Sequence, residues 1–119
     1  MKQLLYIVLI ICFSCNSDRK FNSKNWAPYE SGVIGGERKR MLSDLTQNVL
    51  KPSFTTKKEV DSLLGKYYII DIENKTYNYE VFEKYGWNID PEGYITLKLS
   101  FDKDSILQQW LIEETTFNP

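Results

Sequence analysis

The chain has 119 residues, enough for one folded domain and little more. With 42% hydrophobic residues, 26% charged residues and a net charge of −1, it is neither a disordered tail nor a strongly basic nucleic-acid binder. It contains no histidine, which removes the commonest neutral-pH acid–base group and the commonest transition-metal ligand.

The charge divides along the chain. Glu37 to Lys66 holds seven basic and four acidic residues, and Tyr67 to Pro119 holds four basic and ten acidic ones. At 14% aromatic residues, with eight tyrosines, the composition leans toward half-buried sheet faces.

Lys2 gives a short positive start, and Leu4 to Phe13 (LLYIVLIICF) is an unbroken apolar run of ten. A spanning helix takes about 20 apolar residues, so this run suits the apolar region of a signal peptide. Ser14 and Cys15 close it. Together they resemble a bacterial lipoprotein signal, which implies that 1–14 is removed and that Cys15 is acylated, palmitate included, as the first mature residue. An uncleaved anchor or an ordinary secretory signal are the alternatives. A C-x-x-C pair of Cys12 and Cys15 would need a helix start in a folded domain, not the end of an apolar leader. Two or more acyl chains anchor stably, so the resemblance implies the cell envelope and attachment to a membrane. Asn16, where inner-membrane retention is associated with aspartate, favours the outer membrane.

Residues 15–36 are polar, rich in Asn, Ser and Gly, and without either hydrophobic period, so a flexible lipidated tether is expected. Trp26 and Tyr29, around Pro28, are the exception and are expected to dock on the domain, the alternative being a place near the lipid headgroups. Gly32 to Gly36 (GVIGG) lacks the Lys and Ser/Thr of a phosphate loop and reads as tether.

Glu37 to Leu50 predicts a helix, with Met41, Leu42, Leu45 and Val49 within one arc. Arg38, Lys39 and Arg40 stand at its start, where the macrodipole disfavours cations, and form a solvated basic face or serve a partner. Lys51-Pro52 stops it. A second helix is punctuated by Thr56 and Glu59 at capping-box spacing, an apolar stripe of Val60, Leu63 and Leu64, and Gly65 suited to a left-handed stop.

Strands are expected from Tyr67 to Ile72, around Tyr77, Tyr79 and Val81, through Ile95, Leu97, Leu99 and Phe101, and from Ile106 to Glu113. Gly86 to Gly93 reads as a turn-rich linker, and Asp102 to Ser105 as a hairpin turn. The expected fold over 37–119 is a single α+β domain. It has two N-terminal helices packed on one face of a three- to four-stranded antiparallel sheet.

From Arg38 to Glu113 the order of elements resembles the small lipoprotein domain of the SmpA/OmlA type. Glu59-Val60, Leu63-Leu64-Gly65 and Phe101-Asp102-Lys103-Asp104 match its phrasing. That family includes an outer-membrane assembly lipoprotein, and its fold is shared with a secreted β-lactamase inhibitor. Two residues depart from the pattern: no proline follows Gly65, and Ser105 stands where glycine is common. No segment matches the family's partner contacts, so the assembly role is not carried over.

The acidic pairs Glu80 with Glu83, Asp90 with Glu92, and Glu113 with Glu114 are poor catalytic dyads. Sequence proximity shows no cleft, and strand neighbours point to opposite faces. Asp102-Lys103-Asp104 lacks the glycine and distal glutamate of a calcium loop. No enzyme activity, cofactor, metal or nucleic acid is expected. The aromatics Tyr67, Tyr77, Tyr79, Tyr85 and Trp87, with Tyr68, gather in one stretch and form the candidate binding surface, or else pack between sheet and helices. The expected function is a lipid-anchored, non-catalytic module that binds an envelope protein in assembly or as a scaffold. The alternative is an enzyme inhibitor or glycan-binding module using the aromatic surface around Trp87.

Overall fold

The computed structural model describes residues 18–85 and 90–116, apart from the side chain of Ser31. The expectations for Cys12, Cys15 and Trp87 fall outside those residues. The chain is α+β, with a four-stranded antiparallel sheet and a few short helices.

The helices are α1 (Ser23–Trp26), α2 (Glu37–Asp44), which widens into a π turn at Leu45–Val49, and α3 (Lys57–Leu64). A further π turn, Glu30–Ile34, precedes α2. The strands are β1 (Ile69–Asp71), β2 (Thr76–Tyr85), β3 (Pro91–Phe101) and β4 (Leu107–Thr116), in the spatial order β1-β2-β3-β4.

Helix α3 starts where its local chemistry demands. The Glu59 N–H donates to Thr56 Oγ1 at 3.1 Å, and Glu59 Oε1 accepts from the Thr56 N–H at 3.4 Å. Gly65 ends it with φ +82 and ψ −178. The positive φ was expected, but the extended ψ departs from the left-handed helical conformation. That region is nearly exclusive to glycine, so Gly65 turns the chain straight out into the approach to β1.

Alternation builds the sheet's buried face. Tyr79 lies opposite Leu97, and Tyr77 opposite Leu99, so all four share a side. Tyr79, Val81, Ile95, Leu97 and Leu99 form one buried cluster with Met41, Leu42 and Leu45 from α2 and its π turn, and with Val60 and Leu64 of α3. Strand β3 begins at Pro91, inside the expected linker, where a first strand position tolerates the missing N–H. The hairpin from β3 to β4 is closed by Asp102 Oδ1, which accepts from the N–H groups of Asp104 at 2.9 Å and Ile106 at 3.0 Å. Ser105 takes φ +62 there, the conformation for which the position favours glycine.

The expected tether is corrected from Arg19 onward. The Arg19 N–H donates to Arg40 O at 2.9 Å, the Phe21 N–H to Asp44 Oδ2 at 2.7 Å, and Ser23 Oγ to Leu63 O at 2.7 Å. Trp26 is fully buried in the core, as docking required, and Val33 is fully buried as well. The segment looked like a linker because a four-residue helix and a π turn carry no regular hydrophobic period. Gly32 and Gly36 are structural too. Gly36 caps α2 at φ +84, and Gly32 lies against Arg38. The basic face at the start of α2 is corrected in part: Arg38 is buried, while Lys39 and Arg40 are exposed.

Candidate interaction surface around strand β1

Strand β1 is an edge strand, paired on one side to β2 through Ile69 with Asn78, Ile70 with Tyr77 and Asp71 with Thr76. It is short because both ends are turned away. Asp71 accepts from the Asn74 N–H at 3.1 Å and from Asn74 Nδ2 at 2.8 Å, which closes a turn with Lys75 at φ +57. Those bonds hold the Asp71 carboxyl below its ordinary pKa. At the other end the N-terminal segment takes over along the edge of β2. Arg38 Nη1 donates to Glu80 O at 2.7 Å, and the Tyr29 hydroxyl donates to Glu83 Oε1 at 2.6 Å.

Large apolar side chains around β1 stand in solvent. Tyr67 is 92% exposed, Ile69 65%, Ile70 55% and Ile72 85%. Grouped exposed apolar side chains mark an interaction site more often than scattered surface leucines do, and here Tyr67 and Ile69 form one group and Ile70 and Ile72 another. Two cavities flank the strand. One, of about 600 Å³, is lined by Ala27, Tyr29, Arg38, Tyr67, Ile69 and Glu80 among others. The second, of about 420 Å³, is lined by Ile70, Ile72, Lys75, Tyr77, Phe101 and Asp102 among others. Ile69 and Ile70 are adjacent in a strand, so the two cavities receive side chains that leave opposite faces.

Behind the second cavity lies a caged cation. Lys57 Nζ stands 4.6 Å from the ring centre of Tyr68, 4.7 Å from Tyr77 and 5.9 Å from Phe101. It donates to Asp61 Oδ1 at 2.6 Å and to the Tyr68 hydroxyl at 3.3 Å. The rings brace one another edge to face, Tyr68 on Tyr77 at 4.9 Å and Tyr77 on Phe101 at 5.5 Å. Burial opposes the Lys57 charge, but the bonds from Asp61 and Tyr68 outweigh it and raise the pKa. A partly desolvated cation over aromatic faces contributes roughly 1–2 kcal/mol. It links α3 to β2 and to the last residue of β3 beneath β1.

The aromatic residues singled out in the sequence therefore separate. Tyr67 is on the surface beside β1, Tyr77 is a half-buried wall of the cage, and Tyr79 is a fully buried core residue. Among the described residues the Tyr79 hydroxyl has no hydrogen-bond partner, and burial raises its pKa. Tyr85 is exposed at the far end of β2, where its hydroxyl donates to Glu83. Only Tyr67 of these joins the β1 surface, with Tyr77 reaching the second cavity from below.

Sequence reasoning placed a strand from Tyr67 to Ile72 but did not single out Ile69, Ile70 and Ile72 as surface residues. The signal was present in their mixture with Asp71 and Glu73, on a short run bounded by Gly65 and Asn74. The acidic pairs also separate. Glu113 pairs with Lys98 at 3.1 Å, Glu114 pairs with Lys84, and Glu83 holds the hydroxyls of Tyr29 and Tyr85. Among the described residues no group of three or more His, Cys, Asp or Glu side chains is placed to hold a metal ion. Comparison with protein-family models, curated proteins and solved structures found no match.

Proposed function

We propose that the protein is a non-catalytic, lipid-anchored module of the cell envelope, on the outer membrane, that binds an extended segment of another envelope protein along β1. The observation that carries this reading is the set of exposed apolar residues on and beside the edge strand, Ile69 and Ile70 within it and Tyr67 and Ile72 flanking it, with a cavity toward each face. An added strand gains main-chain hydrogen bonds from the edge and seats alternate side chains in the pockets. Two helices packed on one face of the sheet would provide the rigid frame. The resemblance to the SmpA/OmlA-type domain belongs to this proposal, and it is supported by the order of helices and strands and by the cap at Thr56 and Glu59.

The anchor is supported by the apolar leader and by Ser14-Cys15. Because Arg19 is already bonded to the domain, the chain from Cys15 to Arg19 can span at most roughly 14 Å. A lipid at Cys15 would therefore hold the domain at the membrane surface instead of on a long leash. Cys15→Ala should abolish the lipid mass and leave residues 1–14 on the chain; an unchanged mass would refute the anchor. Ile69→Lys should eliminate the partner recovered from crosslinked envelopes while leaving the circular dichroism spectrum intact. Undiminished recovery would refute the β1 site.

A second reading, an inhibitor or glycan-binding module, is supported by the exposed Tyr85 next to the stretch that contains Trp87. Tyr85→Ala would then remove binding that Ile69→Lys leaves untouched.

A further inference from the structure

The larger cavity beside β1 has an unusual floor. Arg38 is only 6% exposed, yet the hydrogen bonds of its guanidinium run to carbonyl oxygens: Nε to Trp26 O at 2.7 Å, Nη1 to Glu80 O at 2.7 Å, and Nη2 to Ala27 O at 3.5 Å. The last is at the limit of a hydrogen bond, and a guanidinium has five N–H donors to satisfy. None of the ion pairs among the described residues includes Arg38. The group is also held in place. It lies 5.0 Å from the centre of the Trp26 ring, and a Cβ on Gly32 would come within 2.9 Å of Arg38 Nε and 3.1 Å of Trp26 O. Glycine at 32 makes room for the arginine.

We propose that Arg38 is the anion-binding floor of this cavity, and that the partner segment seated there carries an acidic side chain between apolar neighbours. The inference rests on the β1 reading and adds the chemistry of what binds. A planar guanidinium has its best partner in a carboxylate, which it meets through paired N–H bonds. Arg38 has the Trp26 ring against it and the Glu80 carboxylate nearby, but its hydrogen bonds run to carbonyls. Burial outweighs these counterweights, so part of its desolvation cost is left for an incoming carboxylate to offset. Burial accordingly lowers the pKa of Arg38. Lys66 adds a second positive charge to the lining against the single carboxylate of Glu80. Tyr67 and Ile69 supply the apolar walls for the neighbouring residues.

The test uses the full chain in detergent micelles, labelled with nitrogen-15, titrated with acetyl-Leu-Glu-Leu-amide and acetyl-Leu-Gln-Leu-amide. The glutamate peptide should shift the Arg38 Nε–H and Ile69 N–H resonances saturably and bind about tenfold tighter than its glutamine counterpart. Equal binding of the two peptides, or no shift at Arg38, overturns the proposal. Tighter binding of acetyl-Leu-Leu with a free carboxy terminus overturns the side-chain assignment. Arg38→Lys risks the fold, so Tyr67→Ala and Lys66→Gln at exposed positions serve as the variants. Each should weaken the glutamate peptide a few-fold, and no change in either counts against the site. Loss of the peptide preference with intact partner capture through Ile69 removes the carboxylate and leaves the β1 reading standing. Loss of partner capture removes that reading itself.

Discussion

Strands β1 and β4 both form edges of one sheet, but they are made and guarded differently. β1 has three residues, with exposed isoleucines and a cavity on either side. β4 has ten, and its exposed Leu111 and Ile112 sit among Gln108, Gln109, Glu113 and Glu114. The acids on β4 are tied to Lys98 and Lys84 of its own sheet, and its first residue is covered: Ser53 N–H donates to Leu107 O, and Leu107 N–H to Thr55 O, both at 2.7 Å. Charges and covering segments are the usual protection of an edge. β1 carries a single charge, Asp71 at its end, and has pockets beside Ile69 and Ile70. The β4 edge carries charges and a covering segment at its start, whereas the proposed binding edge, β1, is flanked by pockets.

The largest effect should come from removing what closes the chain beyond β1. Trp26→Ala deletes a fully buried indole that fixes the N-terminal segment and supports Arg38, and it should cost about 3–5 kcal/mol in denaturant unfolding. Trp110→Ala, at a half-buried position of β4, should cost about half as much. Equal losses would mean that the two edges depend on their indoles alike.

Lys57→Met tests the frame beneath β1. It keeps the apolar stem and removes the ammonium from its cage, so stability should fall by roughly 1–2 kcal/mol. No loss would show that the aromatic rings alone hold the register.

A smaller effect should follow acid. Asp44 is held below its ordinary pKa by the Phe21 N–H and by Asn48, Asp71 by Asn74, and Glu114 by Lys84. A depressed folded-state pKa gives stability that is present above the unfolded value, roughly pH 4, and is lost as pH falls through the folded one. Stability should therefore decline below about pH 4. Asp44→Asn should flatten part of that decline and speed hydrogen exchange at the Phe21 amide. An unchanged exchange rate would break the link between Asp44 and the docked segment.

How much was legible in the sequence depended on the range of the forces involved. The cap at Thr56 and Glu59, the hairpin turn at Asp102 and the alternation of Ile95, Leu97 and Leu99 are local, and each is visible within a few residues. Arg38 was not legible. Its burial depends on carbonyls of Trp26 and Glu80, the latter 42 residues away. The tyrosines look equivalent in the sequence, yet Tyr79 faces Leu97 across a buried pair while Tyr67 precedes β1 in solvent. Which aromatics formed a surface was therefore decided by sheet register, which no local pattern around Tyr67 or Tyr79 contains.

The most direct test places a photoreactive amino acid at Ile69 and, separately, at Leu111 in the full chain in the native envelope. Both side chains are exposed, one on each edge, and neither substitution should disturb the core. A discrete covalent adduct from position 69 and none from position 111 is the predicted result. Adducts of equal yield from both positions, or none from position 69, would contradict the assignment of β1 as the binding edge.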